Sequence, residues 1–127
     1  MCSFILTNFF IEDIDKSNKY AKYRGPDCTS NLYVDCFHLI HNLLHVTGKL
    51  INHPLNHKDI FCLYNGEIYN YKDFGKYNND GECIIDLYKE YGYNFIKKID
   101  GEFAIVLLDF KENLLIVSTD IFATKPL

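Results

Sequence analysis

The second residue of the chain is a cysteine, whose thiolate can attack the carbonyl carbon of an amide. Methionine aminopeptidases remove Met1 when the next residue is small, and Cys2 would then carry a thiol and a free α-amine together. Because the reference pKa of an α-amine is about 7.7–8.0, a useful fraction is neutral near neutral pH and can accept the thiol proton, directly or through one water. Position alone is more typical of a small buried residue at the start of a strand.

A second candidate is the run Asn65-Gly66-Glu67, inside the tyrosine-rich stretch LYNGEIYNY. Attack on an amide creates an oxyanion, which needs donors placed in advance. The Asn65 side-chain amide and the Gly66 backbone N–H could supply two, and a glycine leaves room for the substrate to approach. Asn-Gly is also among the commonest turn pairs, so a bare turn after a strand is the alternative interpretation.

Two acidic residues are further candidates for the site. Glu67 follows the Asn-Gly pair directly, and Asp80 lies on a later predicted loop. Together they could hold the ammonium group of an amino acid. Taken singly, each is more typical of a surface acid, and Asp80 could instead cap the helix that follows it.

Three histidines have the spacing H-x-x-H-x-x-x-H: His38, His41 and His45. On a helix, His41 and His45 would share a face and could bind zinc. Their neighbours favour a strand, on which His41 and His45 face one side and His38 the other. The glutamate of the H-E-x-x-H motif is missing, so we expect ordinary strand histidines and no metal site.

The elements that must position these residues follow from hydrophobic periodicity and turn residues. Asp35 marks a hairpin turn inside the β-rich segment 32–46, and Lys111-Glu112 joins the last two strands. The pattern predicts further strands over 2–10, 60–64, 102–110 and 113–120, helices over 11–22, 81–93 and 94–101, a turn over 23–31 and a loop over 47–59. Strands at both ends with helices between them predict an α+β fold in one domain.

Composition narrows the function classes. The chain has 127 residues, a net charge of −4 and one arginine, Arg24, so it lacks the basic face of a nucleic-acid-binding protein. Its longest apolar run, 103–108, is far too short to span a membrane. The N-terminal segment lacks the features of a signal peptide. The five cysteines include no C-x-x-C pair, which favours a reduced, cytoplasmic protein.

Several segments in family order carry a resemblance: MCSF, YRGPDCTS, LYNGEIYNY, then NDGECIIDLYKEYG followed by IDGEFAIVLLDF, and the tail STDIFATKPL. Together they resemble the glutaminase domain of the class II glutamine amidotransferases, specifically the asparagine synthetase type. The combination of R-G-P-D with N-G-E-I-Y-N is highly specific, and the match covers nearly all of residues 1–127.

The resemblance implies an N-terminal nucleophile (Ntn) hydrolase fold, an αββα sandwich of two antiparallel sheets between helices. It implies that Cys2 attacks the side-chain amide of glutamine, with its own amine as base. Asn65 and Gly66 would form the oxyanion hole, and Glu67 and Asp80 would bind the ammonium group. A γ-glutamyl thioester would form, release ammonia, and then be hydrolysed to glutamate.

The same resemblance implies that Arg24 organises the surroundings of the site, and that the backbone groups of Leu44, His45 and Val46 line the pocket. One departure matters for the substrate. In the family's H-x-R-L segment an arginine pairs with the α-carboxylate of glutamine, and here that position is Leu43. A strong bidentate pair is lost, and His45 or a lysine would replace it with poorer geometry.

The chain stops at Leu127, where the family continues with more strands and an ATP-dependent synthetase domain, so a C-terminally truncated sandwich is expected. No phosphate-binding loop is present; this domain should need no cofactor, and ATP and Mg would belong to a synthetase domain that is not present. A separate synthetase subunit could receive the ammonia, and dimerisation could cover an open sheet edge. Three hypotheses remain: a glutaminase domain, an Ntn amidohydrolase acting on a different amide, and a non-catalytic binding or regulatory domain.

Overall fold

A computed structural model describes residues 1–46 and 48–127. Seven strands and two α-helices follow one another along the chain, with short 3₁₀ segments between them. The elements are β1 (Ser3–Thr7), α1 (Ile14–Asn18), β2 (Cys28–Val34), β3 (Phe37–Leu43), β4 (Leu55–His57), β5 (Ile60–Ile68), α2 (Cys83–Tyr91), β6 (Gly101–Asp109) and β7 (Leu114–Thr119); the 3₁₀ segments are Ala21–Arg24, Tyr71–Asp73, Asp80–Glu82 and Gly92–Lys98.

The strands form two antiparallel sheets. One has the order β1-β3-β2 and the other the order β4-β5-β6-β7. The predicted hairpin between β2 and β3 is confirmed, and Asp35 turns it with a positive φ of 51°, a conformation that aspartate tolerates better than most residues. The predicted α+β class, with two antiparallel sheets and few helices, is also confirmed.

The two sheets pack face to face because side chains alternate along each strand. Leu63 of β5 and Val106 of β6 point toward the three-stranded sheet, where they meet Leu39 of β3. Phe4 and Leu6 of β1 pack on the same cluster. Cys2, two residues before Phe4, therefore faces the four-stranded sheet.

Helices lie on the outer faces of both sheets. Cys83, Ile84 and Leu87 of α2 are buried against the four-stranded sheet, on the face predicted from their helical spacing. On the three-stranded sheet, α1 is held by a pair of side-chain amides: Asn42 Nδ2 donates to Asn18 Oδ1 at 2.7 Å.

Some element predictions were wrong. The single helix expected over 11–22 is interrupted, because α1 covers only Ile14–Asn18 and the chain continues as a 3₁₀ turn. The expected loop 47–59 contains β4, and its first residue lies outside the described residues. The helix predicted over 94–101 is the 3₁₀ segment Gly92–Lys98. Within the described residues, no helix has the length and apolar character needed to cross a membrane.

Strand β7 forms one edge of the four-stranded sheet. Leu115 and Val117 pair with Leu108 and Val106, so they point toward the three-stranded sheet. They extend past its margin, and are 48% and 55% exposed. The edge therefore combines apolar side chains with one side on which no described strand pairs.

The tail after β7 is pinned to the sheet by Asp120. Its carboxylate accepts hydrogen bonds from the backbone N–H groups of Phe103, Phe122 and Thr124 and from the Thr124 hydroxyl, at 3.0–3.2 Å. Desolvation acts to raise the pKa of this carboxyl group, but the hydrogen bonds outweigh it and lower the pKa to about 2. Asp120 thus fixes where the tail leaves the sheet.

Candidate active site

A small cavity of about 40 Å³ lies along the open edge of β5. Strand β4 pairs only with Ile60–Cys62, so the remainder of β5 has no described strand on that side. At roughly 10–15 Å³ per enclosed water, the cavity has room for about three water molecules. It is lined by Cys2, Leu43, Leu44, His45, Val46, Ile51, His53, Tyr64, Gly66, Glu67, Asn79 and Asp80.

The Cys2 thiol lies against the chain that leaves β3. The backbone N–H of Leu44 donates to Sγ at 3.4 Å, and Sγ lies 3.6 Å from the Leu44 carbonyl oxygen. Burial raises the pKa of the thiol, and the Leu44 backbone contact offsets only part of that rise. At neutral pH the group is therefore a thiol that needs a base. Met1 precedes it and is 53% exposed, so the bond to Met1 lies near the surface.

The segment Arg24–Asp27 holds the strand end that lines the cavity. A Cβ on Gly25 would lie 2.0 Å from the Asn42 carbonyl oxygen, so only glycine allows this approach. The Asp27 N–H donates to the Leu43 carbonyl at 3.0 Å, and the His45 N–H donates to Asp27 Oδ2 at 2.8 Å. Arg24 does not line the cavity.

The Asn65-Gly66-Glu67 run lies inside β5 and not in a turn, so the predicted end of this strand at residue 64 and the bare-turn alternative were both wrong. In an antiparallel strand, the N–H and C=O of one residue point to the same edge and alternate with those of its neighbours. The Tyr64 carbonyl and the Ile68 N–H both reach partners on the open edge. The Gly66 N–H, midway between them, therefore points to the same edge, into the cavity.

The fold also requires glycine at position 66, which could not be seen from the sequence. A Cβ at this position would lie 2.1 Å from the Glu102 carbonyl oxygen of β6. The glycine is needed for the approach of the neighbouring strand, whatever its effect on substrate access.

Replacing Gly66 by alanine should therefore destabilise the fold. We expect a loss of about 1–3 kcal/mol in the free energy of unfolding, the usual range for overpacking, measured by urea denaturation. Ser118→Ala, at a half-buried position of β7, is the control and should cost much less. Equal stability of the two variants would contradict this account of Gly66.

Asn65 is only 3% exposed, and alternation places its side chain on the face toward the three-stranded sheet, the face that Cys2 approaches. Asn65 does not line the cavity itself. The structure thus brings the Gly66 backbone to the cavity and leaves the Asn65 amide beside it.

Asp80 does not cap α2, and that interpretation was wrong. Asn79 is the capping residue of the 3₁₀ turn, through Oδ1 and the Gly81 N–H at 2.9 Å. The Asp80 side chain is 4% exposed, and its Oδ2 accepts from the Tyr64 hydroxyl at 2.5 Å and the Ile68 N–H at 2.9 Å. Both of these bonds end on the same oxygen, Oδ2.

Tyr64 was not predicted as a site residue, although it orients Asp80. Burial, followed by the charge of Asp80, raises the pKa of its hydroxyl far above the usual range, so it remains a donor. Nothing in the sequence distinguishes it from the other nine tyrosines.

If Asp80 binds a substrate ammonium group, Tyr64→Phe should raise KM about tenfold and change kcat little, because one charge-assisted hydrogen bond that orients the carboxylate is lost. Tyr88→Phe is the matched control, since the Tyr88 hydroxyl donates to Asp109 at 2.7 Å outside the cavity. Steady-state kinetics of both variants test this. A fall in kcat alone would argue against it.

A buried histidine pair forms one wall. His41 Nε2 donates to the Tyr64 carbonyl oxygen at 2.9 Å, and the His41 ring stacks on His53 with centroids 4.1 Å apart. Burial lowers the pKa of His41 to about 4; burial and then the neighbouring His41 lower that of His53 to about 3. Both rings are therefore neutral at physiological pH.

Residues 1–127 match the family described as "Glutamine amidotransferase domain". The chain belongs to this family. The predicted resemblance is therefore confirmed, and membership places this glutamine amidotransferase domain among enzymes of the amidotransferase or amidohydrolase type.

Individual relatives agree with the family. The domain is 35% identical over 121 residues to the "Asparagine synthetase [glutamine-hydrolyzing]" of Triphysaria versicolor, covering 87% of this chain and 21% of the relative. It is 34% identical to "Amidase chry2" of Gibberella zeae, covering 92% and 20%. A "Putative asparagine synthetase [glutamine-hydrolyzing] 2" of Methanocaldococcus jannaschii is 31% identical, with 91% and 28% covered. The chain spans about a fifth to a quarter of the length of these relatives.

The amidotransferase cavity brings together most of the predicted site residues. Its lining includes Cys2, Leu44, His45, Val46, Gly66, Glu67 and Asp80, and omits Arg24 and Asn65. Sequence reasoning missed His53 and Tyr64. The histidine spacing drew attention to His38 and His45, whereas the structure pairs His41 with a residue 12 positions further along the chain.

The three spaced histidines are dispersed in the amidotransferase domain. His38 lies on the outer face of its sheet, with Nε2 2.6 Å from Asn31 Oδ1 and its ring stacked on Tyr33. His45 lies beyond the end of β3. Over residues 1–46 and 48–127, no three His, Cys, Asp or Glu side chains are grouped to hold a metal ion.

Proposed function

We propose that residues 1–127 are the glutaminase domain of an asparagine synthetase-type amidotransferase, in which Cys2 hydrolyses the side-chain amide of glutamine. One observation carries this proposal. The Cys2 thiol and Gly66, whose N–H points to the open edge of β5, line the same cavity as two acids, Glu67 and Asp80. That set combines a nucleophile, an oxyanion donor and an ammonium-binding pair.

The reaction has two steps. After removal of Met1, the Cys2 amine takes the thiol proton, Sγ forms a bond to the amide carbon, and the oxyanion accepts the Gly66 N–H. The C–N bond then breaks, and the amine returns its proton to the leaving ammonia. A water adds to the thioester, the C–S bond breaks, and a carboxylate and the free thiol remain. Asn65, buried beside the cavity, would supply the second oxyanion donor.

The layers support an Ntn-hydrolase sandwich, since α1 and α2 lie on the outer faces of two packed antiparallel sheets. Such an arrangement presents the N-terminal residue at the edge between the sheets. In this proposal Arg24 and the residues that follow it organise the chain at Leu44–Val46, and the enzyme is cytoplasmic.

The ammonia would serve an ATP-dependent synthetase; in support, one of the relatives above is named as an asparagine synthetase and another as a putative one. The acceptor site, with its ATP and Mg, would lie on a further domain or a separate subunit.

Intact-mass spectra before and after incubation with the diazoketone analogue of glutamine, and separately with its carboxyl ester, test the proposal. We expect loss of Met1 and one adduct on Cys2 with at least one reagent. Cys36→Ser, at an exposed cysteine in the β2–β3 hairpin, should behave like the unaltered chain. Retention of Met1 and an unreactive Cys2 would instead indicate the non-catalytic binding domain.

A further inference from the structure

The charges around the cavity point to a more specific substrate. We infer that the site takes a carboxamide whose carrier has a free ammonium group but no free carboxylate beside it, as in a glutamine at the N terminus of a peptide. This inference rests on the proposed function and defines the substrate class of the same site.

The described lining is acidic. It contains the carboxylates of Glu67 and Asp80, and no lysine or arginine. An ammonium group next to two acids is stabilised by both charges. A carboxylate in the same small space would lose hydration, meet like charges and find no lysine or arginine partner in the described lining, and each of these effects disfavours its binding.

The wall where a carboxylate-binding arginine would stand is apolar. Leu43 is 8% exposed and lines the cavity. Its backbone is fixed, because its carbonyl accepts from Asp27 and the chain just before it packs on Gly25. An uncharged group such as a peptide carbonyl can lie against leucine without the cost of an unpaired charge.

The histidines do not replace the missing cation. His41 and His53 are stacked, neutral and buried, and the Nε2 donor of His41 is already bonded to the Tyr64 carbonyl. His45 is at the rim, and its Nε2 lies 2.9 Å from the Gly48 carbonyl oxygen, where it acts as donor. Neither His41 nor His53 offers a charged donor to a carboxylate, and the Nε2 donor of His45 is already bonded.

Two other cations make their contacts elsewhere. Arg24 Nη2 lies 3.7 Å from the sulfur of Met1, the residue that is removed in the proposed mature form, and Lys125 Nζ pairs with Glu102 Oε1 at 2.6 Å. Neither side chain lines the cavity.

The size of the cavity agrees with a carrier that extends outward. A space of about 40 Å³ is much smaller than the several hundred Å³ typical of pockets for whole small molecules. His45 and Val46 form an exposed rim, and Val46 is 68% exposed. A chain attached through the masked carboxyl group can pass over this rim to solvent. Only the side-chain amide and water change, to a carboxylate and ammonia.

Initial rates of ammonia release from three substrates test the inference on the unaltered protein. These are L-glutamine, L-glutaminol, which has a hydroxymethyl group in place of the carboxylate, and the dipeptide glutaminyl-glycine; Cys2→Ala provides the blank. We expect kcat/KM for glutaminol and for the dipeptide to exceed that for glutamine by roughly 10- to 100-fold, the effect of one unpaired charge.

Each outcome decides something. A kcat/KM for glutamine equal to or above the other two overturns the inference and leaves the glutaminase proposal standing. Cys2-dependent release from glutaminol but not from the dipeptide supports a preference for substrates without a free carboxylate. It also shows that these substrates are small amines and not peptides. No Cys2-dependent release from any substrate overturns the proposed function itself.

Leu43→Arg gives a second test, with Leu43→Met as the uncharged control of similar volume. The arginine variant should raise kcat/KM for glutamine by about tenfold or more relative to the methionine variant. Its kcat/KM for glutaminol should be unchanged or lower. Equal effects of the two variants on glutamine would argue against Leu43 as the residue that sets specificity. If the arginine variant does not fold, the comparison of the three substrates on the unaltered protein still tests the inferred substrate class.

Discussion

Replacing Cys2 by alanine should abolish ammonia release, lowering kcat by roughly 10⁴- to 10⁶-fold, as removal of a covalent nucleophile does in other hydrolases. The reason is that Cys2 carries the one thiol in the described lining, so its loss removes the group that forms the thioester. Ammonia release by a coupled assay, at saturating glutaminol or glutamine, measures the effect.

The matched controls are the other cysteines. Cys36→Ala, at an exposed position, and Cys28→Ala, at a half-buried one, should keep full activity, and all three variants should unfold at similar urea concentrations. If the Cys2→Ala variant is folded and its activity is within tenfold of that of the unaltered protein, a thioester mechanism is refuted.

The second large effect is loss of stability in acid. Histidine has a pKa of about 6.5 when unfolded, whereas His41 and His53 titrate at about 4 and about 3 in the fold. Below pH ~6.5 the unfolded chain takes up protons that the folded chain does not, so stability is full above that pH and falls as the pH decreases. At about pH 5 each ring should lower the free energy of unfolding by about 2 kcal/mol, and the pair should lower it by about 4 kcal/mol.

Urea unfolding at about pH 7.5 and about pH 5 measures this loss. His53→Gln removes one of the two titrating groups and should recover about half of the loss. His38→Gln is the control, because His38 lies on the other face of β3 with its own partners, Asn31 and Tyr33. Equal acid sensitivity in the His53 variant and the unaltered protein would contradict the assignment.

Local pattern was sufficient for several elements. The strands β6 and β7 could be predicted from their apolar runs, the turn from Asp35, and the buried face of α2 from its period of 3.6 residues. The family segments then placed Cys2, Glu67 and Asp80 at one site, and the structure brings all three to the cavity.

Other features depend on long-range packing and could not be predicted from the local sequence pattern. Asn-Gly continues β5 because β6 pairs with it along its whole length, and this pairing overrides the local turn preference. Asp80 turns inward because Tyr64 and Ile68 supply donors from a distant strand. The role of His53 depends on stacking against His41, and no spacing rule links two residues on different elements.

The open margin of β7 sets a practical limit on any experiment with this protein. Leu114–Thr119 contains no lysine, proline or bulge, the features by which sheet edges usually resist joining other chains. Exposed Leu115 and Val117 add apolar surface beside the unpaired backbone. Self-association should therefore increase with concentration independently of the catalytic chemistry, and rates should be compared at matched, dilute protein.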